Sequence, residues 1–101
     1  MLVAFSVAPS GNGRADGSVH DAVAAAVRVV RDSGLPNHTG SMFTEIEGEW
    51  DEVMAVVKAA TDAVAPFGSR VSLVLKADIR PGYTGEITAK VERLEAELTL
   101  P

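Results

Sequence analysis

The first stretch, Leu2–Ala8 (LVAFSVA), is apolar or small at every position and ends at Pro9. Its β-branched and aromatic content predicts a strand. Alternation puts Val3, Phe5 and Val7 on one face and Leu2, Ala4, Ser6 and Ala8 on the other. The second face is uncharged, which predicts a central strand covered on both sides, with a partner subunit over the open one. From Ser18 the apolar period lengthens to that of a helix running to about Ser33. Ser18 and Asp21 have capping-box spacing, Val19, Val23, Ala26, Val27 and Val30 form the buried stripe, and Gly34 and Pro36 stop the helix. Asn37–Ser41 is a weak polar strand suited to a sheet edge. Phe43–Glu47 is a stronger strand, with Ile46 turned toward the helices. A second helix spans about Trp50–Ala65, with Trp50, Val53, Met54, Val57, Thr61 and Val64 as its inner stripe. Arg70–Arg80 (RVSLVLKADIR) is the best strand, with Val71, Leu73, Leu75, Ala77 and Ile79 inward. After a Pro81-Gly82 turn, Thr84 caps a last helix carrying Ile87, Val91, Leu94 and Leu98 at helical spacing. Glu86–Lys90 and Arg93–Glu97 are its i,i+4 pairs.

The order βαββαβ plus a terminal helix, with right-handed crossovers, predicts an α+β ferredoxin-like sandwich: a four-stranded antiparallel sheet with two helices on one face. Residues 1–101 form one domain in this reading. The open face would carry Ala4, Ser6, Glu45, Ser72, Val74 and Lys76. Its mixture of small, apolar and charged groups suits sheet-to-sheet packing in a homodimer.

Composition narrows the functions this fold can carry. The 101 residues are 47% hydrophobic and only 5% aromatic, so the core is aliphatic. The absence of cysteine excludes disulfides, thiolate metal sites and a cysteine nucleophile. A net charge of −5 disfavours nucleic-acid binding, which needs a Lys/Arg excess. RNA-recognition versions of the fold are disfavoured further because Phe5 faces the helices. No signal peptide or spanning segment is evident, so the expected location is the cytoplasm and no membrane partner is expected.

Two stretches carry candidate chemistry. Ser10–Gly17 (SGNGRADG) follows a strand and precedes a helix, as a phosphate cradle does, but Asp16 stands where dinucleotide spacing requires glycine and the P-loop lysine is absent. It reads as a mobile loop. Its Arg14 faintly resembles an acylphosphatase loop without the rest of the motif, so a hydrolase is the weakest reading. The second stretch is Met42–Val57 (MFTEIEGEWDEVMAVV). Asp51 and Glu52 crowd a helix start, where the dipole favours carboxylates. Glu47 is left without such an explanation.

Taken together, FSVAP at Phe5–Pro9, SGLP at Ser33–Pro36, the run from Met42 to Val53 and RVSLVLKADIR at Arg70–Arg80 resemble the small thiamine-binding proteins of the ferredoxin-like fold. The most specific piece is Thr44–Val53, TEIEGEWDEV. The chain departs from that pattern in its long Ser10–Gly17 loop and in Asn37-His38, where an aromatic is common. The resemblance implies a non-enzymatic protein, dimeric or tetrameric, that binds thiamine or its hydroxymethylpyrimidine part and carries no cofactor or metal. Chemically, Glu47 could accept from the pyrimidine amine, with Ser6, Asn37 and Thr44 completing the hydrogen bonds. Trp50 or Phe43 could stack on a ring, the acidic cluster would favour the thiazolium cation, and Lys76 completes the candidate set. Plainer roles stand beside these. Trp50 suits a helix-start core position, Thr44 a strand, Ser6 a tight dimer interface, and Lys76 a cross-sheet pair with Glu45. Alternation also puts Glu47 and Thr44 on opposite faces. The competing function is an oligomeric interaction module with no small ligand.

Overall fold

The computed structural model describes residues 1–11 and 19–101. Among the described residues, seven strands and α-helices follow one another, with a 3-10 turn at Ala65–Phe67 after the second helix: β1 (Leu2–Ser10), α1 (His20–Asp32), β2 (Asn37–Thr39), β3 (Thr44–Glu47), α2 (Trp50–Val64), β4 (Arg70–Asp78) and α3 (Glu86–Leu98). The strands form one antiparallel sheet in the order β2-β3-β1-β4. This is the ferredoxin-like α+β arrangement expected from the element order. Helices α1 and α2 pack on one face of the sheet. The core between them holds Val3, Phe5 and Val7 of β1, Ile46 of β3, Ala22, Ala26 and Val30 of α1, and Val53, Val57, Ala60 and Val64 of α2. The glycine-rich residues 12–18, with Arg14 and the proposed Ser18 cap, lie outside the described residues.

β1 sits at the centre of the sheet, as its two uncharged faces require, but it does not end at Pro9. It continues to Ser10, with Pro9 opposite Val71. The direction of the ladder explains why. Met1 and Gly48 exchange bonds, Gly48 N–H donating to the Met1 carbonyl at 3.1 Å and the Met1 amine to the Gly48 carbonyl at 2.9 Å. Odd-numbered residues of β1 therefore turn their main-chain groups toward β3, and even-numbered ones toward β4. β3 ends at Thr44, opposite Phe5. The N–H that Pro9 lacks would have pointed at an edge that no described strand covers, so proline costs the β3 ladder nothing there.

Four other expectations are corrected. The buried stripe of α1 is Ala22, Ala26 and Val30, while Val23 is exposed. The alanines allow the close α1–α2 approach that the larger valines would prevent. Trp50 is not a core residue: at the first position of α2 it is 55% exposed. β4 ends at Asp78, leaving Ile79 exposed outside the strand. The expected pairs within α3 are replaced by longer-range ones, Lys90 with Asp78 and Arg93 with Glu86, the latter at 2.5 Å. α3 stands apart from the core. It starts beside β3 on the open face and presents Val91, Leu94 and Leu98 to solvent.

Candidate functional site

Glu47 is the residue that helix-start chemistry left unexplained, and the structure gives it a partner 39 residues away. The chain enters α3 through Gly85 in the left-handed region (φ 68°), so no side chain on that residue caps the helix. The Glu47 carboxylate takes that place from β3. Glu86 N–H donates to Oε2 at 2.9 Å and Ile87 N–H to Oε1 at 3.0 Å. Both oxygens are used, at the positive end of the helix, and the residue is only 5% exposed. α2 solves the same problem locally: Glu49 and Glu52 form a reciprocal capping box, with Glu49 N–H donating to Glu52 Oε1 at 3.1 Å. The acidic cluster thus caps two helices rather than lining one anionic pocket.

The six candidate residues do not converge. Thr44 and Glu47 sit at opposite ends of β3 and on opposite faces, about 10 Å apart along the strand. Asn37 is opposite Ile46, and its Nδ2 donates to the Leu35 carbonyl at 2.9 Å. Lys76 lies on the open face opposite Ala4. Its proposed pairing with Glu45 is replaced, since Glu45 Oε1 lies 3.3 Å from His38 Nδ1 and β1 runs between Glu45 and Lys76. Trp50 borders a hollow of about 230 Å³ that also holds Arg80, stacked on the Tyr83 ring at 3.6 Å. Glu47 borders a separate hollow of about 180 Å³ with Gly48 and Thr84.

Ser6 and Thr44 border the same cavity, but alternation turns the Ser6 side chain to the open face and that of Thr44 to the helix face. They line a cavity of about 220 Å³ where β3 has ended and β1 runs on alone beside β4. Its floor is Phe5–Ala8 of β1, one wall is α1 from Val19 to Val30, and the other is the β2–β3 hairpin from Thr39 to Thr44. Gly40 N–H donates to the Phe43 carbonyl at 2.9 Å and closes that hairpin. A Cβ on Gly40 would come 2.8 Å from the same oxygen, so the tight turn needs glycine. The turn brings Phe43, 40% exposed, over the cavity mouth. The described lining is apolar with a few hydroxyl-bearing residues, Thr39, Ser41 and Thr44, and carries no charged side chain. Such a lining suits a small, flat, neutral ring held by a few directed hydrogen bonds. Sequence reasoning named Ser6, Thr44 and Phe43 but missed the α1 wall. The surplus of exposed valine on α1, once its buried stripe is assigned to alanines, is the signal that would have found it.

The comparisons with known proteins agree with this architecture. The chain is 55% identical over 102 residues to a UPF0045 protein of Mycobacterium bovis, covering all of this chain and 97% of that one. It superposes on a hypothetical protein of Methanocaldococcus jannaschii with a TM-score of 0.82 and 30% identity, covering 93% of this chain and 94% of that one. A Thermotoga maritima structure, described as a candidate thiamine biosynthesis/salvage protein, matches at TM-score 0.76 and 29% identity, covering 92% and 96%. The profile of the thiamine-binding protein family spans residues 3–95, from β1 into α3, and includes the whole cavity between α1 and the hairpin. By fold, by relatives and by that match, the chain belongs to the thiamine-binding protein family.

Proposed function

We propose that this protein binds thiamine, or its hydroxymethylpyrimidine moiety, without transforming it. The observation that carries the reading is the cavity between α1 and the hairpin in a chain of this family. Its volume of about 220 Å³ lies below the roughly 300–1,000 Å³ of pockets that enclose drug-sized ligands, so it suits one ring rather than two. Its described lining is neutral. The pyrimidine half therefore enters, and the thiazolium stays in water. Phe43 supplies an aromatic face, and Thr44 supplies a hydroxyl. Glu47, engaged with α3, is not needed.

Calorimetric titration with thiamine and with hydroxymethylpyrimidine tests the reading. Saturable binding of both, with Thr44→Val weakening both by about tenfold, agrees with it. Absence of heat and of any thermal shift at millimolar ligand ends it.

The apolar stripe of α3 and the open sheet face with Val74 favour self-association alongside ligand binding. Truncation before Thr84 with sizing by light scattering tests it. An unchanged particle mass per chain would remove α3 from that role.

A further inference from the structure

Among the described residues, β1 beyond Phe5 has a strand on its β4 side only. The ladder direction fixed by the Met1–Gly48 exchange turns the N–H and C=O of Val3, Phe5, Val7 and Pro9 toward β3. Val3 and Phe5 meet Ile46 and Thr44. Val7 meets no β3 residue, and Pro9 has no N–H to offer. Val7 is thus the one residue of β1 that presents both a donor and an acceptor to the vacated edge, and it lies in the cavity floor. Its side chain is buried on the helix face, so only its main chain is available to a ligand.

From this we infer that the Val7 main chain reads the ligand. It takes a flat ring that carries an exocyclic amine beside a ring nitrogen, as if that ring were the next residue of β3. The ring nitrogen accepts from Val7 N–H, the amine donates to the Val7 carbonyl, and Phe43 covers the ring at the cavity mouth. The chemical class is the amino-substituted nitrogen heterocycle, of which the aminopyrimidine of thiamine is one member. Recognition by a strand edge gives directed bonds through main-chain groups that the sheet already holds in place. It also explains how a site whose described lining has no charged side chain can select a ring: a ligand lacking the amine leaves the buried carbonyl unpaired. The inference rests on the proposed function and adds the atoms that confer selectivity.

The test uses the full chain and three compounds: hydroxymethylpyrimidine, the same compound with its 4-amino group replaced by hydrogen, and thiamine. Each is titrated calorimetrically and followed by amide-resolved NMR. The expected result is a loss of tenfold or more on removing the amine, with the Val7 amide among the largest shifts on binding the amino compound. Val7→Pro removes the donor from the vacated edge while leaving the β4 pairing, and should weaken hydroxymethylpyrimidine to a similar degree. The ligand series and the Val7 amide signal decide the matter even if that variant does not fold. Equal affinity for the amino and deamino compounds, or an unmoved Val7 amide, overturns the inference and leaves the proposed function standing. No binding of any of the three overturns both.

Discussion

Replacing Glu47 separates its two conceivable roles. In the structure its carboxylate accepts from two main-chain N–H groups of α3, at 2.9 and 3.0 Å, and is almost wholly buried. A hydrogen bond to a charged group contributes about 1.5–3 kcal/mol, and a carboxylate at a partly buried helix start adds up to about 2 kcal/mol more. These terms overlap, because the same contacts supply both. Glu47→Ala leaves both N–H groups without a protein partner, although water can reach the exposed side of α3. A net loss of about 2–4 kcal/mol follows if α3 stays docked. Glu47→Gln keeps the shape and one acceptor but turns an NH₂ toward the other donor, so about 1–2 kcal/mol is expected. The assay is urea unfolding at fixed protein concentration, since assembly would shift the midpoint, paired with hydrogen exchange at Glu86 and Ile87. Both amides should lose protection in Glu47→Ala. A change below about 0.5 kcal/mol with unaltered exchange at those amides would refute the capping argument. A normal unfolding curve together with a selective loss of thiamine affinity would point back to a ligand role.

Three other outcomes are expected. Val57→Ala, in the sealed core, should cost about 2–3 kcal/mol, whereas Trp50→Ala should cost under about 1 kcal/mol; reversed values in urea unfolding would mean the indole is covered. Gly68→Ala should destabilise by about 1–3 kcal/mol, because a Cβ there meets the Ser10 carbonyl oxygen at 2.4 Å and Pro9 Cβ at 3.0 Å; an unchanged melting temperature would contradict the close approach. The hydrogen bond and charge of Lys90 hold the Asp78 carboxyl below its ordinary 3.8, so this contact stabilises the fold above that pH and the contribution is lost as pH falls through the lowered value. Lys90→Met should return the Asp78 midpoint, read by carboxyl NMR, toward the ordinary value, and no movement would show that the pair does not form in solution.

The sheet was legible because strand alternation is a local signal that burial enforces. β1 and β4 declared themselves, and Ile46 pointed inward as read. The stripe of α1 was read one step round the helix because the run VAAAVRVV offers apolar residues on every side, and only the partner helix decides which of them it buries. Pro9 reads as a stop because its missing N–H is visible in the sequence, whereas the edge it faces, which no described strand covers, is not. Glu47 shows the same limit at longer range. Its donors belong to a helix 39 residues further on, and no local pattern relates a carboxylate to amides at that distance. The cavity between α1 and the hairpin shows the same limit. Thr44 stands out by its chemistry, while the Val7 main chain has no side-chain signature at all.

The central place of β1 also bears on how the chain is made. A ribosome delivers the middle strand of this sheet first and its neighbours last. Ser10 must wait for β4, which ends at Asp78, and at about 5–20 residues per second that interval is roughly 3–14 s. Throughout it, an uncharged strand prone to pairing hangs from the nascent chain with its β4 edge unsatisfied. Its earliest native partner is β3, which pairs with Leu2–Phe5 alone. A trigger-type holdase, or slower decoding ahead of β4, would have its greatest effect on yield in that window. Charged substitutions at Ala4 or Ala8, which lie off the helix face, would make the strand a poorer template for wrong pairing during that interval.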